Sequence, residues 1–169
     1  MIKVVITGPE SSGKTTLASS LAHHYQVPLV PEYSRQYLSR ISGPYTEEDL
    51  LVIAKGQVFN EKQKASLCPG LLICDTDITV ISIWSLEKFR RIAPSLADLE
   101  VSTTYHLTFL CRPDIPWEPD PLRENPHDRD RLFILYKQRL KELRRPFTIL
   151  EGSEAERLHT ALNIIDNLI

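Results

Sequence analysis

The chain has 169 residues, 42% of them hydrophobic and 25% charged, which is the make-up of one ordinary globular domain with a substantial core. A net charge of -2 excludes a whole-molecule field that would draw nucleic acid or an anionic membrane. No apolar stretch is long enough for a membrane span or a signal peptide, so a cytoplasmic protein with neither nucleic-acid nor membrane partner is expected. The three cysteines, Cys68, Cys74 and Cys111, lack metal-ligand spacing, and Cys74 and Cys111 lie in apolar runs as buried free thiols would.

In chain order, Val4-Val5-Ile6 predicts a buried strand that turns at Thr7-Gly8. Leu17, Leu21, Ala22 and Tyr25 recur at helical spacing and predict a helix over 13–25. Val27 to Val30 reads as a second strand, stopped by Pro31. Helical patterns follow over 33–41 and 47–65, then the apolar strand 71–74 ends in Asp75. Helices over 78–89 and 93–99 precede a fourth strand at 106–111. Five of the twelve prolines then fall between Pro113 and Pro126, so that stretch is a loop, because proline fixes φ and donates no backbone hydrogen bond. A helix over 128–143, a strand over 147–150 and a helix over 155–168 complete the chain.

Apolar strands alternating with helices imply a three-layer α/β fold around a five-stranded, mostly parallel sheet. The expectation is one P-loop NTPase domain over 1–169, kinase-like, with a lid over about 112–131. Ligands of such folds sit beyond the carboxyl ends of the strands, which places Gly8, Glu32, Asp75 and Arg112 on the working edge.

Gly8-Pro9-Glu10-Ser11-Ser12-Gly13-Lys14-Thr15 fits G-x-x-x-x-G-K-[ST] and lies between a strand and a helix, as the motif requires. Backbone N–H groups of such a loop, and of the helix it opens, solvate phosphate oxygens. The candidate nucleotide-binding residues are therefore Gly8, Glu10, Ser11, Ser12, Gly13, Lys14, Thr15 and Thr16. Lys14 would set its charge on the β- and γ-phosphates of ATP, and the Thr15 hydroxyl would ligate Mg²⁺. Asp75 is placed to hold a magnesium-bound water, while Asp77 fits either a role at the site or a cap on the following helix.

Glu32-Tyr33-Ser34-Arg35 follows the second strand directly. Glu32 is a candidate to orient or deprotonate an acceptor hydroxyl, and Arg35 to fix a polar or anionic part of the substrate. A helix start with glutamate in its favoured first turn is the competing account of this segment. In the lid, Arg112, Arg123, Arg129 and Arg131 are candidates to meet the transferring phosphoryl group, with Arg123 first because it lies mid-loop. Trp117 either stacks on a planar ring or pins the loop. Lys137, Arg139, Lys141, Arg144 and Arg145 suit the dipole at a helix end.

The phosphate loop, Glu32-Tyr33-Ser34-Arg35, Asp75-Thr76-Asp77 and the run from Asp114-Ile115-Pro116-Trp117 to Asp120-Pro121-Leu122-Arg123 together resemble the AAA_28-type P-loop family that includes the ribosylnicotinamide kinase domain of NadR. The resemblance implies ATP-dependent phosphorylation of the 5′-hydroxyl of a nucleoside, nicotinamide riboside. The candidate substrate-binding residues are Glu32, Tyr33, Arg35, Asp114 and Trp117, and the resemblance would make Asp114 and Arg123 parts of a lid and substrate clamp. Two positions depart from the family pattern: Pro31 stands where an aromatic would stack on the nicotinamide ring, and Pro121 where glycine is usual. Because the chain starts on the phosphate-loop strand, the family's adenylyltransferase domain is expected to be absent. The alternative function is a regulatory ATPase acting on a protein partner. Neither an N-K-x-D nor a D-x-x-G guanine signature supports a GTPase.

Overall fold

The computed structural model describes residues 1–67, 70–120 and 127–169. Its strands are β1 (Ile2–Thr7), β2 (Leu29–Val30), β3 (Leu71–Asp75), β4 (Leu107–Cys111) and β5 (Thr148–Leu150). Its helices are α1 (Lys14–Tyr25), α2 (Tyr33–Leu38), α3 (Glu47–Leu67), α4 (Ile78–Phe89), α5 (Pro94–Ser102), α6 (Arg129–Glu142) and α7 (Glu154–Asp166). They form one five-stranded sheet in the order β2-β3-β1-β4-β5, and every pairing is parallel. The expected α/β fold is therefore present, with a wholly parallel sheet.

Side chains alternate across a strand, so the central β1 feeds two cores. Val4 and Ile6 pack with Phe109 and Cys111 against Leu17 and Leu21 of α1 and Ala161 and Ile165 of α7. Val5 points the other way, with Leu72 and Cys74, under α3. On that second face Leu110 meets Leu132, Phe133, Tyr136 and Leu140 of α6, and Leu50 and Ile53 of α3 meet Ile78 and Ile81 of α4. Cys74 and Cys111 are buried and free, as their apolar settings implied, and Cys68 lies outside the described residues.

Several boundaries differ from the sequence reading; the helix expected over 33–41, for one, ends at Leu38. β2 starts at Leu29 and not at Val27, because the Val27 N–H donates to the Ala22 carbonyl at 3.0 Å and closes α1, while Pro28 has no N–H to pair. α5 runs on to Ser102 and opens with Pro94 in its first turn, where proline is tolerated. α7 starts on a capping box in which Ser153 and Glu156 satisfy each other's backbone N–H groups. Among the described residues no helix is long and apolar enough to cross a membrane.

Candidate active site

The carboxyl end of β1 delivers Gly8 into a position only glycine fits. Its φ is +136°, and a Cβ there would lie 2.7 Å from the Cys111 carbonyl oxygen of neighbouring β4. Ser11 at φ 51° and Gly13 at φ 80° are also left-handed, so successive peptide groups curl into a cradle that ends on the first turn of α1. The Lys14 ammonium folds back inside it and donates to the Pro9 carbonyl at 2.6 Å, which also accepts from the Ser12 hydroxyl at 2.7 Å.

The loop residues Gly8 and Glu10 to Thr16 line one cleft together with Glu32, Arg35, Trp84 and Tyr136. Eight nucleotide candidates and two acceptor-side candidates of the sequence reading thus meet in one place. Asp75 ends β3 beside this cleft, almost wholly buried, and accepts a hydrogen bond from Thr15. Burial pushes its carboxyl above the usual range, while the Thr15 hydroxyl and the Lys14 charge act the other way. Its Oδ1 has no hydrogen-bond partner. An orphaned carboxylate oxygen next to a threonine hydroxyl fits a hydrated Mg²⁺, which takes few protein ligands and keeps its waters and phosphate oxygens. The described residues contain no cluster of three His, Cys, Asp or Glu that would suit a metal held by protein alone.

Asp77 has another fate. Thr76 takes φ 80°, a left-handed conformation uncommon for a β-branched residue, and this turn sends the two carboxylates in different directions. Asp77 is fully buried and accepts from the hydroxyls of Thr7 at 2.9 Å and Thr79 at 2.6 Å and from Arg145 Nη1 at 2.9 Å. It stands at the N-cap position of α4 without capping it through its side chain. It is a buried structural counter-ion. Arg145, placed in the sequence reading near a helix end for its dipole, is that ion's partner.

Beyond the carboxyl end of β2, Glu32 precedes α2 and accepts from the Ser34 hydroxyl at 2.7 Å and from Arg35 Nε at 3.2 Å. Arg35 in turn donates to Asp120 at 2.9 Å, so the proline-rich segment is tied to the start of α2. Tyr33 faces elsewhere: its N–H donates to Gln57 at 2.9 Å and its ring lies over Gly56 of α3. Asp114 is also engaged away from the cleft lining, in an ion pair with Arg157 and in accepting the Gly152 N–H at 2.7 Å. Trp117 lies with its ring 6.0 Å from the Arg129 guanidinium. Of the arginines expected in a lid, Arg112 pairs with Glu151, Arg131 with Glu87 and Asp128, and Arg129 with the carbonyls of Ser11 and Ile115. Arg123 lies outside the described residues.

Two aromatic side chains missed in the sequence reading complete the site. Trp84 of α4 and Tyr136 of α6 line the phosphate-loop cleft and also an adjoining cavity of about 460 Å³, as does Glu10. That volume suits a small-molecule site. Tyr45, Leu38 and Ile83 contribute to its apolar wall. Burial, with Asp77, Glu32 and Glu10 nearby, pushes the Tyr136 phenol well above its ordinary value and keeps it a neutral hydroxyl. The available signal was weak. Trp84 and Tyr136 are in phase with the apolar stripes of their helices and read as core.

Among solved structures, the chain superposes on a crystal structure of NadR protein in complex with NR, with a TM-score of 0.83 at 22% identity, over 98% of this chain and 51% of that one. A NadR structure in complex with NAD and AMP-PNP gives 0.78 at 21% identity, over 98% and 49%. A thymidylate kinase from Ehrlichia chaffeensis gives 0.62 at 18% identity, over 99% and 98%. At these identities the likeness establishes the fold.

In sequence, the chain is 28% identical to the trifunctional NAD biosynthesis/regulator protein NadR of Salmonella typhimurium (strain LT2) over 147 residues, 82% of this chain and 35% of that protein. Against the Escherichia coli (strain K12) protein of the same description the identity is 28% over 126 residues, 71% of this chain and 30% of that one. The chain therefore spans about a third of the length of these relatives. Residues 3–157 match the AAA domain family AAA_28, from the first strand to the first turns of α7. The chain belongs to that family.

Proposed function

We propose that this chain is an ATP- and Mg²⁺-dependent kinase that phosphorylates a hydroxyl of a nucleoside-type acceptor, with nicotinamide riboside the first candidate. The observation that carries this reading is the continuity of the phosphate-loop cleft with the aromatic-walled cavity through Glu10, Trp84 and Tyr136. One end is built for a polyphosphate and the other for a planar ring. The likeness to proteins described as NadR, one of them holding NR, supports the choice of acceptor. The aromatic absent at Pro31 has a substitute in Trp84, which can stack on the ring from α4.

In this reading the loop amides bind the β- and γ-phosphates, and the Lys14 ammonium leaves the Pro9 carbonyl for them. Thr15 and Asp75 would hold Mg²⁺, which would neutralise charge on the phosphate oxygens. Glu32 accepts the proton of the attacking hydroxyl, and Arg35 keeps its carboxylate oriented. Arg112, Arg129 and Arg131 are each committed to protein acceptors, so Arg123 is the arginine proposed to meet the transferring phosphoryl group.

The deciding experiment measures ATP consumption by purified chain with and without a nucleoside panel that includes nicotinamide riboside. Acceleration by one nucleoside, together with loss of ATP affinity in Lys14→Ala, is expected. Equal consumption with and without every acceptor would instead favour a regulatory ATPase.

A further inference from the structure

We propose that Arg157 is a positioning residue for nucleotide binding: from α7 it fixes the direction of the phosphate-loop amide at Gly13, with Asp114 as its anchor. Arg157 is 2% exposed, although it occupies the buried stripe of α7 in phase with Ala161 and Ile165. Its guanidinium donates to the carbonyl oxygens of Ser12 at 2.6 Å, Gly152 at 2.9 Å and Arg112 at 2.9 Å, and forms an ion pair with Asp114. One planar fork thus joins the phosphate loop to the segments that follow β4 and β5.

The consequence follows from peptide geometry. In a trans peptide the C=O and the next N–H point in opposite directions, and the described chain contains no cis bond. Holding the Ser12 carbonyl toward α7 therefore aims the Gly13 N–H the other way, into the cradle. Arg129 acts in the same manner one peptide earlier: its bond to the Ser11 carbonyl at 2.8 Å aims the Ser12 N–H. Such support is needed because Ser11 holds a left-handed conformation, which a non-glycine residue keeps only where surrounding contacts impose it, and Gly13, which takes either hand freely, has no side chain of its own to fix its peptide groups. A guanidinium suits the task, since its rigid fork serves several acceptors that one ammonium cannot span. Asp114 thereby gains a role distinct from a substrate clamp.

The inference rests on the reading of the loop as a phosphate site, and its test separates the two. Binding of ADP and of inorganic tripolyphosphate is measured by calorimetry for the parent chain, Arg157→Lys and Asp114→Asn, alongside Tm and the KM values for ATP and acceptor. For Arg157→Lys the Kd of both ligands and the KM for ATP are expected to rise about tenfold, with acceptor KM within about twofold of the parent. Asp114→Asn, isosteric and partly exposed, is expected to show a smaller rise of the same kind. A lowered Tm with unchanged Kd in folded variants would overturn the proposal. So would a loss confined to ADP, or a raised acceptor KM in Asp114→Asn. If Arg157→Lys does not fold, Asp114→Asn decides alone. A parent chain that binds neither ligand overturns the phosphate-site reading itself, a result distinct from unchanged affinity in the variants.

Discussion

Asp75 and Asp77 stand two residues apart at the end of one strand, and their surroundings assign them opposite work. Asp77 has three donors for its carboxylate, whereas Asp75 keeps one buried oxygen without a partner beside Thr15. The raised carboxyl of Asp75 has a stability consequence whose sign can be worked out. Burial holds its folded-state value above the ordinary range of an aspartate, so the folded chain keeps that proton longer than the unfolded chain does. Stability is then lost as pH rises from the unfolded value through the folded one, and the ionised carboxylate destabilises the ligand-free chain at neutral pH. Asp75→Asn is therefore expected to raise Tm of the ligand-free chain near pH 7, with a smaller gain at acidic pH. The same change should lower Mg²⁺-dependent turnover by about 10–100-fold. Thermal scans across pH and a magnesium titration of activity check both halves, and an unchanged Tm at pH 7 would contradict the assignment.

At the scale of elements, the place of Glu32 and Arg35 at the cleft depends on how α2 is seated on α3. Gly56 allows the close approach: a Cβ there would lie 2.1 Å from the Tyr33 ring. Alanine in a helix is favoured over glycine by about 1 kcal/mol. Overpacking a filled site costs about 1–3 kcal/mol, and the ring must be displaced, so the clash wins. Gly56→Ala is expected to destabilise the chain and to raise acceptor KM, because moving Tyr33 moves the start of α2, where Glu32, Ser34 and Arg35 sit. KM for ATP should stay near the parent value. Denaturation and steady-state kinetics on both substrates measure this, and a stabilised variant with unchanged kinetics would refute it. The gap between sequence and structure at this scale is instructive. Helices α1, α3, α4 and α6 were legible from apolar periodicity, whereas β2 was over-read because the Val27 N–H serves the end of α1.

The whole molecule carries a polar seam between the sheet and its α3–α6 face. Lys3 pairs with buried Glu61, whose carboxylate also accepts from Tyr105. Arg139 pairs with buried Glu100, and Arg145 links Asp77 to the carbonyls of Glu100 and Thr103. Removing one member of a buried pair leaves an uncompensated charge, at about 3–5 kcal/mol. Arg145→Met is expected to lose stability on that scale. Adding Asp77→Asn should recover part of the loss, because no buried charge then lacks its counter-ion. Urea denaturation of the four members of the cycle measures the coupling. Additive losses would remove the pair as the link between the turn at Thr76 and α5.

The sequence alone determined the phosphate loop, the alternation of strands and helices, and the side of the sheet on which ligands would gather. These are local properties, set by spacing over a few residues and by what glycine, proline and β-branched residues permit. Tertiary structure decided which charged groups border the cleft and which serve the scaffold. Asp75 is available because Asp77 has Arg145, 68 residues away in sequence, and the Gly13 amide is aimed by an arginine 145 residues beyond Ser12. Trp84 and Tyr136 became a pocket wall only when α4 and α6 were laid beside the loop. A charge or an aromatic ring takes its role from its partners across space, and one-dimensional periodicity does not encode those partners.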